Sequence, residues 1–213
     1  MFIPKKFRQE NTEELIAMMQ KYSFATLITQ SEEEIEATHL PVIISGETDK
    51  LFIKAHIAKA NPLWKSVKDG ADVLVIFNGP NCYISPNHYP TKKETGKAVP
   101  TWNYVVVHAK GHVSFIHDNE WVYGLIDSLT TVHERNSDQP WSITDAPEPY
   151  IQKMLPAVVG VQIDVASITG QWKLSQNQPE VNQRGVVNGL GNSQENNLSE
   201  IASLISRNLL KGE

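Results

Sequence analysis

The 213-residue sequence has one cysteine, Cys82, so no internal disulfide can form. No window approaches the roughly 20 apolar residues that a membrane span needs. The opening MFIPKKFRQE lacks the apolar stretch of a secretory signal, and a cytoplasmic protein is expected. Basic charge is scarce: 24 acidic side chains face 19 basic ones, for a net charge of -5 and a pI near 5.8. That balance argues against a broad electrostatic footprint on nucleic acid, whose non-specific affinity comes from Lys and Arg neutralising phosphates, and leaves open only a local basic face. The standard phosphate loops GxGxxG and GxxxxGK[ST] are missing, as are HExxH and the GxSxG nucleophile elbow. A dinucleotide or triphosphate held in the usual way is thereby excluded.

What is present is a globular composition, 40% hydrophobic and 20% charged, of a length that suits one domain. Asn11 and Glu14 have capping-box spacing, and Leu15, Ile16, Met18, Met19 and Tyr22 follow at helical intervals, predicting a helix over 12–21. FATLIT, EATHLPVII and LFIKAHI then read as three antiparallel strands, separated by the polar tract at 31–34 and the turn-like SGETDK. Asn61-Pro62 and Gly70 bracket a short helix over 62–69. Strands resume in ADVLVIFNG, NCYIS and TWNYVVVHAKGHVSFI. Asp118 caps a helix with Trp121, Val122, Leu125, Ile126 and Leu129 on one stripe.

A proline-rich surface excursion at 134–149 precedes a short helix near 150–155, and VVGVQIDVASITG is a further strand. The chain ends in a helix with Leu198, Ile201, Ala202, Ile205 and Leu209 on one face. Segments 87–98 and 174–197 read as long loops, a type that is often functional or disordered. Strands with irregularly interspersed helices favour an α+β antiparallel barrel over a doubly wound parallel sheet. The expected organisation is one domain over 1–213, with a loop and helix from about 174 packed on it.

Three places carry candidate chemistry. His56 and Lys59 lie at a strand end directly before the helix that Asn61 caps, so the N–H groups of the helix start and the lysine would together suit a monophosphate. The alternative is that Asn61 only caps, Lys59 is solvated and His56 packs on the sheet. Trp102, Asn103 and Tyr104 open a strand, where the aromatics could flank a planar ring while Thr101 and Asn103 bond its polar edge; packing in a barrel or interface is the competing role. Strand alternation puts Thr38 and His39 on opposite faces, so only one readily lines a given pocket. The histidine spacings do not suit zinc, whereas a single axial histidine for haem stays open. Cys82 has no activating motif and is expected to be a buried free thiol.

In succession, FIPKKF, ATHLPVII, HIAKANP, VLVIFNGPNCYISPNHY, VPTWNYVVVHAKG, LTTVHE, PW and KLSQN resemble the PaiB family of FMN-binding negative transcriptional regulators, over residues 1 to about 177. The resemblance implies an FMN-binding split β-barrel of the pyridoxamine-phosphate oxidase and flavin reductase type, usually a homodimer with two FMN sites between subunits. It places the phosphate at the segment His56, Ile57, Ala58, Lys59 and Asn61. It makes Thr38, His39 and Leu40 ring contacts, and Trp102, Asn103 and Tyr104 contributions from the partner subunit. The sequence departs from oxidase relatives in having no compact arginine–lysine phosphate pair. A cytoplasmic repressor is implied, yet no helix-turn-helix is legible and the final helix has few basic residues, which makes direct DNA contact doubtful. The alternatives are an FMN-dependent reductase or oxidase of a small molecule, and a haem-binding split barrel. A regulatory flavoprotein is preferred to an enzyme, no membrane association is expected, and no catalytic residue is assigned.

Overall fold

The computed structural model describes residues 1–32, 34–191, 193 and 195–211, with the backbone alone at Lys211. Glu33, within the expected polar turn, and Asn192 and Gln194, within the expected 174–197 loop, lie outside the described residues.

Among the described residues eight strands form one antiparallel sheet with helices around it, an α+β split barrel that does not close. The strands are β1 (Arg8–Gln9), β2 (Phe24–Gln30), β3 (Ile35–Pro41), β4 (Ile43–Glu47), β5 (Lys50–Ala58), β6 (Asp72–Ile84), β7 (Thr101–Ile116) and β8 (Val158–Lys173). Their order is β3-β2-β6-β7-β8-β5-β4, and β1 pairs with β8. β3 packs against β5, although the two strands stand far apart in that order, so the sheet curls round on itself. The helices are α1 (Thr12–Lys21), α2 (Leu63–Ser66), α3 (Lys92–Thr95), α4 (Asn119–Glu134), α5 (Glu148–Met154), α6 (Glu180–Leu190) and α7 (Asn196–Lys211).

The chain divides into two compact units, residues 12–77 with 108–168 and residues 1–11 with 78–107 and 169–213. In the first, β2 shows the alternation of a half-buried strand: Ala25, Leu27 and Thr29 point inward with Ile53, Val75, Phe77 and Ile163. Met19 of α1 and Leu63 of α2 complete this core. The Asp118 carboxylate accepts the Trp121 N–H at 2.7 Å, which fixes the start of α4. Trp121 then lies over Gly160 of β8, where a Cβ would approach its ring to within 2.3 Å. In the second unit Ile84, Val107, Leu174, Val186, Ile201 and Ile205 are buried together with Tyr89.

Four local expectations change. EATHLPVII is two strands, because Pro41 has no N–H to donate and the chain turns at the buried Val42. The helix expected over 62–69 is the single turn α2: Val67 is extended at φ -111° and buried, and Gly70 at φ +81° carries the turn into β6. Segment 87–98 contains α3 rather than only loop. Segment 174–197 contains the three-turn α6, which begins after Pro179 and packs on the segment around His88 and on α7.

Candidate functional site

The larger unit carries the expected residues of β3 and β5. Thr38 is half-buried and its hydroxyl oxygen is wholly buried without a hydrogen-bond partner. His39 points the other way, as alternation requires; it is exposed, its Nδ1 lies 3.1 Å from Thr26 Oγ1, and its ring stacks on Phe24 with centroids 6.3 Å apart. Leu40 is a core residue, 6% exposed. On β5, Ile57 is buried and Ala58 exposed, while between the core positions Ala55 and Ile57 stands His56. Its Nδ1 is buried and has no partner. Burial lowers the His56 pKa from its usual 6.5, so the ring is neutral at pH 7, with one nitrogen donating and the other accepting.

The chain after β5 is pinned by its backbone. The Lys59 N–H donates to the Ala157 carbonyl at 2.8 Å, and the Lys59 carbonyl accepts the Trp64 indole N–H at 2.9 Å. Asn61 Oδ1 accepts the Leu63 N–H at 2.9 Å, so Asn61 does cap. With one turn of helix behind it, however, α2 offers no appreciable dipole and its leading N–H is taken. What remains for an anion here is the exposed Lys59 ammonium, which has no hydrogen bond or ion pair among the described residues, on a backbone held in place.

The third segment belongs to the other unit. Trp102 is 48% exposed; its indole N–H donates to Asn81 Oδ1 at 3.2 Å, and its ring meets the exposed Tyr83 edge-on at 6.2 Å. Tyr104, two residues on, shares that face of β7 and is half-buried. Asn103 points into the interior, fully buried, where its amide donates to Ser175 Oγ at 2.8 Å and its Oδ1 has no partner. The segment thus splits into two outward aromatic side chains and one internal polar anchor. Ser175 falls in the segment 174–197 that the sequence shows as a long loop, and this pairing is not legible there; the available signal was an asparagine set in a β-branched strand that must find a partner wherever it is buried.

Cys82 is buried on β6, and burial pushes its thiol pKa up to about 11, as suits an inert side chain.

His56 Nδ1, buried without a partner, and the Lys59 ammonium, which has none among the described residues, suit a ligand carrying hydrogen-bonding heteroatoms and an anionic group, whereas Thr38, level with Leu27 in the register, faces the interior of the unit. Comparison with known proteins agrees with such a chemistry. Residues 1–167 match the family described as "Putative FMN-binding domain". The chain is 34% identical over 214 residues to protease synthase and sporulation protein PAI 2 of Bacillus subtilis, covering 99% of each. Among solved structures it resembles an FAD- and haem-binding protein from Mycobacterium smegmatis, with a TM-score of 0.57, 13% identity and coverage of 78% of this chain and 73% of that one. It also resembles a flavocytochrome from Azotobacter vinelandii, with a TM-score of 0.52, 13% identity and coverage of 78% and 69%. These two likenesses show the fold. With its match over residues 1–167 and a full-length relative at that identity, the chain belongs to the FMN-binding PaiB family, as its ordered motifs implied.

Proposed function

We propose that this chain is a cytoplasmic, homodimeric regulatory flavoprotein, a single split-barrel domain with FMN held between subunits. The observation that carries the cofactor reading is His56 Nδ1 on β5, buried and partnerless three residues before the exposed Lys59. An isoalloxazine edge, with its carbonyl oxygens and ring nitrogens, would supply a partner to the neutral imidazole. Lys59 would hold the phosphate. The flavin, when bound, supplies the redox chemistry, while the protein orients it and sets its electrostatics.

The dimer rests on the outer face of β3, β2 and β6. Register places Ile28 beside both Ala37 and Leu74, and Thr26 beside His39 and Ile76, with Phe24 and Ile35 70% and 71% exposed on the same strands. A solvated antiparallel face is ordinarily polar, and this one is largely apolar. The exposed Trp102 and Tyr83 form a second uncovered apolar surface, matching the reading in which Trp102 and Tyr104 face the partner's flavin. The regulatory part follows from the resemblance of the ordered motifs to the PaiB regulators, the Bacillus subtilis relative being named for protease synthesis and sporulation, and the scarcity of basic side chains favours action through another partner over direct DNA contact. No helix among the described residues is long and apolar enough to cross a membrane.

The decisive experiment is an absorption spectrum of protein loaded with FMN and desalted, read alongside its mass by light scattering. Retained flavin on a species of twice the chain mass is expected, without turnover of NAD(P)H. Loss of flavin removes the cofactor reading, a monomer mass at micromolar concentration removes the dimer, and steady NAD(P)H oxidation converts the protein into a reductase. A second reading takes the exposed His39 as an axial haem ligand, since the Mycobacterium smegmatis neighbour is described as binding haem. A haem Soret band that His39→Ala abolishes would support it.

A further inference from the structure

The larger unit holds a hollow of about 620 Å³ that none of the proposed flavin residues lines. Its walls are α4, through Asn119, Glu120 and Tyr123, and the proline-rich excursion with α5, through Ile143, Thr144, Glu148, Ile151 and Gln152; Leu155 contributes to the floor. Ile143 and Leu155 are each 3% exposed and anchor that floor in the core.

The walls are braced from behind. Ser142 and Asp145 form a reciprocal capping box, with the Ser142 N–H donating to the Asp145 carboxylate at 2.8 Å. The Trp141 N–H donates to Glu134 Oε2 at 3.1 Å, tying the excursion to the end of α4. These bonds fix the backbone on either side of Ile143 and Thr144, so the hollow is preformed rather than a gap under a slack loop. Its size falls within the roughly 300–1,000 Å³ of small-molecule sites.

The lining chemistry selects a class of occupant. Glu120, Glu148, Asn119 and Gln152 border the space as exposed side chains and Tyr123 as a half-buried one, and none of them has a side-chain hydrogen bond or ion pair among the described residues. No lysine, arginine or histidine lines it. Two carboxylates and an aromatic ring beside an aliphatic floor provide charge, a π-face and apolar contact for an organic cation, and repel an anion. We propose that this hollow is a second binding site, distinct from the flavin site, for a small ammonium compound with an apolar body.

Calorimetric titration with phenethylammonium, 2-phenylethanol and 3-phenylpropionate tests this on the full chain. Saturable binding of the ammonium is expected, about tenfold or more tighter than the alcohol because a charge-assisted contact replaces a neutral one, with no binding of the carboxylate. The exposed double variant Glu120→Gln/Glu148→Gln should keep its melting temperature and lose the preference for the ammonium. Absence of saturation by the ammonium, equal affinity for the alcohol, or an affinity unchanged in the double variant each overturns the proposal. None of these readouts depends on whether flavin is bound.

Discussion

The Asn103 side-chain amide donates to Ser175 Oγ at 2.8 Å across 72 positions of sequence, and Ser175 adopts φ +64°, the left-handed conformation that residues other than glycine seldom take. Ser175 is 2% exposed and Asn103 wholly buried, so each depends on the other for its polar partner. The turn after β8 is therefore held in a strained conformation by a bond to β7. Ser175→Ala leaves the buried amide unsatisfied while keeping the strain, and a loss of about 1–3 kcal/mol is expected. Ser175→Gly loses the same bond but relieves a left-handed cost of about 1–2 kcal/mol, so it should be the milder change. Urea denaturation of both variants checks this, and a glycine variant as unstable as the alanine one would show that the backbone is not strained.

Helix α6 packs so closely that its glycines define the interface. A Cβ on Gly185 would lie 2.1 Å from the His88 carbonyl oxygen, and one on Gly189 would lie 2.0 Å from the His88 ring. Glycine to alanine in a helix interior ordinarily stabilises by about 1 kcal/mol. Here the sign should reverse for Gly185→Ala, since the obstacle is backbone, whereas Gly189→Ala meets a side chain that can rotate away and should cost less. Thermal melts of the two variants measure the difference. A stabilised Gly185→Ala would mean that α6 does not sit on this segment.

Those same glycines explain what the sequence concealed. The hydrophobic stripes of α1 and α4 and the alternation of β2 and β5 report their elements directly, because a half-buried element must repeat its apolar residues at its own period. α6 buries Asn182, Val186 and Leu190 against a neighbour that comes too near for side chains, so its contact face reads as NxxGVxxGL, polar and glycine-rich, which looks like loop. α2 was overestimated because Asn61-Pro62 marks a helix start without saying how long it runs. At the candidate site, strand alternation correctly separated Thr38 from His39. It applies equally to Trp102 and Asn103, and the interior destination of Asn103 follows from it once the aromatics face outward.

Cys82 should be chemically silent in the folded protein. With its thiol pKa raised by burial from the usual 9.0 to about 11, roughly one molecule in a thousand carries thiolate at pH 8. Reaction with a disulfide reagent should be slow and accelerate with denaturant in step with unfolding. The pH dependence has a defined sign. The folded state holds this proton more tightly than the unfolded chain, so the thiol's contribution to stability is complete below pH 9 and is lost as pH rises towards 11. Cys82→Ala should flatten the stability profile in that window. Rapid labelling in the absence of denaturant would mean that β6 opens locally around Cys82.

His56 and Lys59 make opposite electrostatic demands, and their pH behaviour tests the flavin site as a unit. Burial alone lowers the His56 pKa from 6.5, so protonation favours the unfolded chain: without ligand, stability should fall as the pH drops below 6.5, and His56→Gln should lessen that fall. An anion placed near the ring stabilises its protonated form. If the phosphate of FMN occupies this region, binding should therefore tighten on mild acidification in the parent protein, and less so in His56→Gln. Lys59→Ala removes the fixed positive charge and should weaken FMN by about 1.5–3 kcal/mol while leaving riboflavin, which lacks the phosphate, nearly unaffected. Fluorescence titration of both flavins across pH 5.5–8 reads all of these effects. Equal weakening of the two flavins by Lys59→Ala would place the phosphate elsewhere. FMN affinity independent of pH in the parent would separate His56 from the phosphate and leave its partnerless Nδ1 to the ring.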